Sequence, residues 1–235
     1  MVSKAIEQAL RRSARPLIEQ LRSDTGDEPA APRWRGRGRA EQIVEVAMES
    51  FHRKGFNGTS MDDIAQAVGI LKGSLYHYID SKDDLLYLIV TQVRDDADAM
   101  TDVALAREDL SPLERVVHYV ELQVNYNAHY PMQIAVYHHE WRRLSGENLV
   151  EMTRRRKDNA QQLREVLVES ADAGELVEGL DLDLALRSVL GVPAWTYTWY
   201  QPGGAITPEY LATFCGSFVR RALTSHSAPD HDSVG

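Results

Sequence analysis

An all-α protein is predicted, on three observations. Apolar residues recur at i, i+3, i+4 and i+7 in window after window. No window shows the apolar–polar alternation of a strand, and Gly and Pro punctuation divides the chain into about nine helices. The 235 residues are 43% hydrophobic and 26% charged, enough apolar material for a core, while no run approaches the ~18 consecutive apolar residues of a membrane span.

Residues 1–38 read as an N-terminal extension and basic arm. Ile6, Leu10, Leu17 and Leu21 mark one face of a short helix that Pro16 interrupts, and the alternating charges of Met1–Arg22 do not form a secretory signal. Residues 24–38, rich in Pro, Gly and charge, are expected to be a linker. Its end carries Arg33, Arg35, Arg37 and Arg39 at spacing two, a flexible cationic arm suited to phosphates or a minor groove.

The first regular helix follows from Ile43, Val44, Ala47, Met48 and Phe51, one apolar stripe, stopped by Lys54-Gly55. Ser60 or Thr59 caps the next, whose core positions are Met61, Ile64, Ala65 and Val68. Gly69 ends it, and Ile70 and Leu71 read as buried linkage. A very short segment runs from Lys72 to Tyr78, with Leu75 and Ile79 anchoring it and Lys72, Ser74, Tyr76 and His77 on the polar side. Ser81 with Asp84 caps a long helix. Beyond it, helices are expected at about 111–128, 131–144, 147–173, 181–200 and 207–223, and residues 225–235 form a flexible tail.

An eight-residue helix, a Gly turn and a second short helix make a helix-turn-helix, which lays its second helix in a DNA major groove. The charge distribution agrees. The chain carries −9 overall, but residues 1–82 hold 13 Lys/Arg against 11 Asp/Glu, and the remainder 13 against 24. Only the front of the molecule suits a polyanion.

The run from Thr59 to Leu86, with Ala47, Phe51, Gly55 and Phe56 before it, resembles the signature of the TetR family of bacterial transcriptional regulators. The matching elements are Thr59, Ile64-Ala65, Val68-Gly69, Gly73-Ser74-Leu75-Tyr76-His77-Tyr78 and Ser81-Lys82, with Ile79 where the family more often has Phe. The resemblance implies a DNA-binding domain over 39–82 and a ligand-binding and dimerisation domain over 83–224. It implies a cytoplasmic homodimer on a palindromic double-stranded DNA operator, most simply a repressor. By that pattern Lys72, Gly73, Ser74, Tyr76 and His77 lie nearest DNA, Thr59 and Ser60 bring helix amides to the backbone, and Lys82 does the same at the fourth helix.

In the acidic part, Tyr119, Gln123, Tyr126 and Asn127 recur at helical spacing, a mixed aromatic and amide stripe that fits either a pocket or an amphipathic core. Tyr137, His138 and Trp141 continue this character. Trp195 and Trp199 are four apart, and Pro193 is expected to kink their helix. These stretches, with Tyr137-His-His-Glu-Trp-Arg-Arg-Leu144, resemble the TetR subgroup that senses acyl-coenzyme A thioesters in fatty-acid and steroid catabolism. That implies a dissociable small-molecule effector, an acyl-CoA, and no resident cofactor. The subgroup's arginine one turn before an aromatic is absent, since Leu190 stands there. Arg154-Arg-Arg-Lys157 suits either coenzyme A phosphates or a salt-bridged helix face. Tyr197, Tyr210, Leu211, Phe214 and Phe218 give the last two helices an apolar face for the dimer.

Enzyme readings find little support. His138-His139 point about 100° apart on a helix and do not chelate one ion, and no nucleophile elbow or phosphate loop is present. Cys215 reads as an inert buried thiol. A regulator of drug efflux and a helical adaptor without DNA binding are the alternatives.

Overall fold

The computed structural model describes residues 38–224. Nine α-helices follow one another among these residues, with no strand. They are α1 (Arg39–Lys54), α2 (Met61–Val68), α3 (Lys72–Leu75), α4 (Lys82–Leu105), α5 (Pro112–His129), α6 (Pro131–Glu140), α7 (Gly146–Asp172), α8 (Leu182–Thr196) and α9 (Pro208–Thr224). A 3-10 turn, Trp141–Arg143, continues α6. The expectations for the extension at 1–37, including Arg37, and for the tail lie outside the described residues.

Local chemistry explains the boundaries. Three helices open on Pro, whose missing N–H is one of the donors a first turn leaves unpaired anyway. Asp181 caps α8 by accepting the N–H groups of Asp183 and Leu184 at 2.9 and 3.1 Å. Ser60, and not Thr59, caps α2. Its hydroxyl accepts the Asp63 N–H (3.1 Å), and the Asp63 carboxylate accepts the Ser60 N–H (2.8 Å), a reciprocal box. Gly69 then takes the left-handed conformation (φ 76°) that closes α2.

Two compact units result. Among the described residues, the first takes 38–99 together with His129–Arg156, and the second Met100–Ala128 together with 157–224. The expected division at residue 82 follows chain order; packing instead assigns α4 and α7 partly to each unit, because both helices are long and continuous. In the first unit, Ile43, Val44, Ala47 and Phe51 of α1 meet Ile64, Leu75 and Ile79, all buried. In the second, Val116, Val120 and Val124 of α5 share burial with Leu163, Leu167 and Val189. There α9 approaches α5 closely at Gly216, where a Cβ would stand 2.6 Å from the Glu121 side chain.

Two features depart from expectation. α8 ends at Thr196, not near 200. Pro193 lies in its last turn, and its carbonyl accepts the Asn127 amide (2.7 Å) and the Thr196 hydroxyl (2.8 Å), so the helical ladder stops there. Leu71 is 80% exposed, not buried linkage, because it is the extended residue that opens α3 and turns outward.

Candidate nucleic-acid interface and sensing residues

The reading module is built on α1 and α2. α3 has four residues, and further turns extend it to Ile79, where the Ile79 N–H reaches Leu75 O (3.3 Å). Leu75 and Ile79 are fully buried beneath it. Lys72, Gly73, Tyr76 and His77 are exposed, Ser74 is half-buried, and nothing stands within 4 Å of a Cβ placed on Gly73. The free surface of α3 is therefore polar and open at one glycine. Lys72 is held by Asp62 of α2 at 2.7 Å, a hydrogen bond that raises its pKa, so a phosphate has to compete with that carboxylate for it. Leu71 adds an exposed apolar side chain at the start of the same helix, which the sequence pattern missed because apolar residues beside a turn read as core.

Three residues expected at DNA make hydrogen bonds within the module. Thr59 is buried, and its hydroxyl donates to Gly55 O (2.9 Å). The Lys82 ammonium is turned inward. It donates to the carbonyls of Phe56 and Thr59, both at 2.8 Å, and lies 4.2 Å from the Phe56 ring. Arg39 sits in the first turn of α1 and not in a loose arm, with its guanidinium on Val68 O at 3.1 Å, the C-terminal end of α2. Arg39 thus meets a carbonyl at the open end of α2, and Lys82 adds a donor to the turn carbonyls of Thr59 and of Phe56, the latter also accepting the Thr59 N–H at 3.3 Å. Ser60 remains exposed at the N-terminus of α2.

The expected sensing residues fall in both units. In the second, Tyr119, Gln123 and Asn127 are buried on α5, and Asn127 spends its amide donor on Pro193 O. Trp195 and Trp199 are 67% and 47% exposed and not enclosed, since α8 closes between them and they do not share a helical face. In the first unit, Tyr137 and Trp141 are buried, and His138 is half-buried. Arg156 donates to the Tyr137 hydroxyl (2.7 Å) and lies 4.7 Å from the Trp141 ring, while Arg142 lies 4.8 Å from the same ring. Sequence reasoning missed this role of Arg142 and Arg156. The other basic-run residues are salt-bridged: Arg154 to Glu151 (2.8 Å), and Arg155 to Asp95 (2.7 Å) and Asp98 (2.5 Å).

On α9, Tyr210, Phe214 and Phe218 follow an i, i+4, i+8 stripe and are 65%, 57% and 57% exposed. With Thr213, Ser217 and Arg221 they line a shallow groove of about 260 Å³. Leu211, expected beside them, is instead buried in its own chain's core, on the opposite face with Cys215 and Val219. Tyr197 is half-buried.

The helix-turn-helix geometry is matched by similarity along the chain. Residues 43–87 match the family described as "Bacterial regulatory proteins, tetR family", and residues 109–223 match "Tetracyclin repressor-like, C-terminal domain". The chain belongs to the TetR family. The regulator is 27% identical over 210 residues to the HTH-type transcriptional repressor KstR2 of Mycolicibacterium smegmatis, covering 87% of this chain and 98% of the relative. The solved structure of the ketosteroid transcriptional regulator KstR2 of Mycobacterium tuberculosis matches with TM-score 0.75 at 27% identity, over 81% of this chain and 96% of that one. The crystal structure of AibR in complex with isovaleryl coenzyme A and operator DNA matches with TM-score 0.67 at 26% identity, over 77% and 97%. The regulator is a DNA-binding transcriptional regulator with a small-molecule ligand. Among the described residues, no helix is long and apolar enough to cross a membrane.

Burial, followed by the charges of Arg156, His139 and Arg142, lowers the His138 pKa from 6.5 to about 4. Unfolded chains therefore bind the extra proton between those values, and this contribution to stability is complete above pH 6.5 and lost as pH falls toward 4. Thermal melts across that window are expected to decline more steeply for the wild-type regulator than for His138→Gln, which has no imidazole to protonate. Parallel pH profiles would remove this assignment.

Proposed function

We propose that the regulator is a repressor that occupies a palindromic operator as a homodimer and leaves it when an acyl-coenzyme A thioester binds. The observation that carries the DNA part is α3: an exposed polar face, Lys72 to His77, fixed to a buried anchor at Leu75 and Ile79. Tyr76 and His77 clamp phosphates, and Gly73 admits close approach of the duplex. The exposed start of α2 at Ser60, its cap closed by Asp63, faces the backbone with the positive end of the helix. Leu71 meets thymine methyl groups or sugar edges.

The dimer is supported by the exposed stripe of α9. A two-fold axis brings the same patch of both protomers together, and Tyr210, Phe214 and Phe218 are large enough to fill one another's grooves. The half-buried Tyr197 borders the same interface.

The thioester class is supported by the relatives and by the cations on Trp141. KstR2 is named as a ketosteroid regulator, and AibR was solved with isovaleryl coenzyme A. Among the described residues, Arg142 and Arg156 have no carboxylate partner, and His138 beside them is held neutral. Such a cluster reads phosphate groups. Tyr119 and Gln123 are the second unit's candidates for effector contact, to be tested separately.

Replacing Tyr76 by Ala is expected to weaken operator binding roughly five- to thirtyfold, the loss of a hydrogen bond to a charged group, with the fold unchanged by circular dichroism. Wild-type affinity would move the reading face elsewhere. Phe218→Asp places a carboxylate in an apolar contact and is expected to yield monomers in sedimentation; an intact dimer would relocate the interface. For the effector, a panel of acyl-coenzyme A esters and the matching free acids is titrated into the operator complex. Thioesters are expected to weaken it ~5–150-fold, free acids not at all, and Arg156→Met to abolish the response while operator affinity stays intact. Release by the free acids alone would overturn the thioester reading.

A further inference from the structure

The turn between α1 and α2 is gripped by side chains from two other helices of its unit. Gly55 stops α1 with φ 73°, and its own N–H closes back on Phe51 O at 3.0 Å. The following amide, Phe56 N–H, is directed away from the α1 ladder. Its acceptor is Glu140 Oε1 at 3.1 Å, contributed by the last residue of α6, 84 positions later. The Glu140 side chain is only 12% exposed, and a Cβ on Gly55 would stand 3.4 Å from the same oxygen, so the carboxylate is seated directly on the turn. Lys82, at the start of α4, takes the Phe56 carbonyl from the other side. Phe56 itself packs on Phe51, with ring centroids 5.4 Å apart. Four residues on, Ser60 opens α2, so whatever fixes Phe56 fixes the start of the helix-turn-helix.

We propose that Glu140 is a positioning residue for operator binding. Through the Phe56 amide it sets where α2 and α3 sit on α1, and it ties that pose to the C-terminal turn of α6. The bond is part-buried, so water replaces the lost acceptor only if the turn shifts or opens when Glu140 leaves. The next residue, Trp141, is buried and carries Arg142 and Arg156 against its ring. The end of α6 therefore bears on the turn through the Glu140 hydrogen bond, beside the packing of α6 along α1. Arg143 lies 3.8 Å from the second Glu140 oxygen and is itself largely exposed, a loose ion pair outside this hold. The positioning role rests on DNA binding alone and does not depend on which effector is sensed.

Glu140→Met and Glu140→Gln separate shape from chemistry, because both keep the length of the side chain and only Gln keeps an acceptor oxygen. Arg143→Ala is the control. Full-length proteins are compared by amide hydrogen exchange and by affinity for a duplex that the wild-type chain enriches from a random-sequence pool. Glu140→Met is expected to speed exchange at Phe56 and to weaken the duplex complex by about tenfold each, the loss of one buried acceptor. Glu140→Gln is expected to restore both to within roughly threefold, and Arg143→Ala to match the wild type. Unchanged exchange at Phe56 in Glu140→Met overturns the hold, and unchanged duplex affinity overturns its role in reading DNA. Gln behaving like Met overturns the acceptor chemistry. Faster exchange throughout α9 as well overturns a local role in favour of general destabilisation. If the pool yields no duplex, the DNA-binding assignment fails, and the exchange data still decide whether Glu140 holds the turn.

Discussion

A four-residue helix cannot persist in water on its own, because nucleating a helical turn fixes several dihedral angles for a single hydrogen bond. α3, the surface offered to DNA, is such a helix, and it exists only because Leu75 and Ile79 are driven into the core that α1 and α2 provide. The rest of the first unit follows from that requirement. α1 must supply a continuous apolar stripe, α2 must stop sharply at Gly69, and the chain must leave α3 toward α4 without drawing its anchor out. With the anchor buried, the remaining side chains of α3 have no core to enter. Their exposure to a ligand as large as a duplex is a by-product of how the short helix is held.

Around this anchor the module is braced by polar groups acting on backbone ends. Arg39 covers the last carbonyl of α2, Lys82 covers two carbonyls of the preceding turn, and Ser60 with Asp63 closes the first turn of α2. The Arg39 and Ser60–Asp63 braces meet groups that a helix end leaves unpaired, and Lys82 adds to the turn between α1 and α2. Because the braces are hydrogen bonds and not interdigitated side chains, they define a pose without making it immovable. A regulator needs that combination, since its reading helices must be placed on DNA and yet be displaceable by a few kcal/mol of ligand binding.

The second unit shows the opposite economy of polar groups. Its α5 interior uses buried valines, and Asn127 is committed to the last turn of α8 at Pro193. Asn159 similarly donates to Thr101 at 2.5 Å in a buried pair that joins α7 to α4. The burial of Cys215, which raises its thiol pKa, belongs to the same dry face of α9 whose opposite side carries the three exposed aromatics. One helix thus divides its residues between its own core and an exposed aromatic stripe, the surface proposed to meet a second copy.

Sequence alone determined the helices, the helix-turn-helix spacing, the anchor pair Leu75 and Ile79, and membership of the family. Those features depend on periodicity, capping residues and left-handed glycines, all of which act within a few residues. What the sequence left open was the partner of each polar side chain. Lys82 and Arg39 are cations next to a DNA-reading motif, and nothing local distinguishes a phosphate contact from a carbonyl brace. Trp195 and Trp199 have helical spacing, but the Pro193 carbonyl accepts both the Thr196 hydroxyl and the Asn127 amide, and the helix ends between the two tryptophans. Leu71 beside a turn reads as core, yet the extended backbone that opens α3 turns it outward. The bond from Glu140 to Phe56 spans 84 residues and carries no periodic or capping signal. Only the tertiary structure decided these assignments, because a hydrogen-bond partner is chosen by proximity in space, which the packing of distant helices sets.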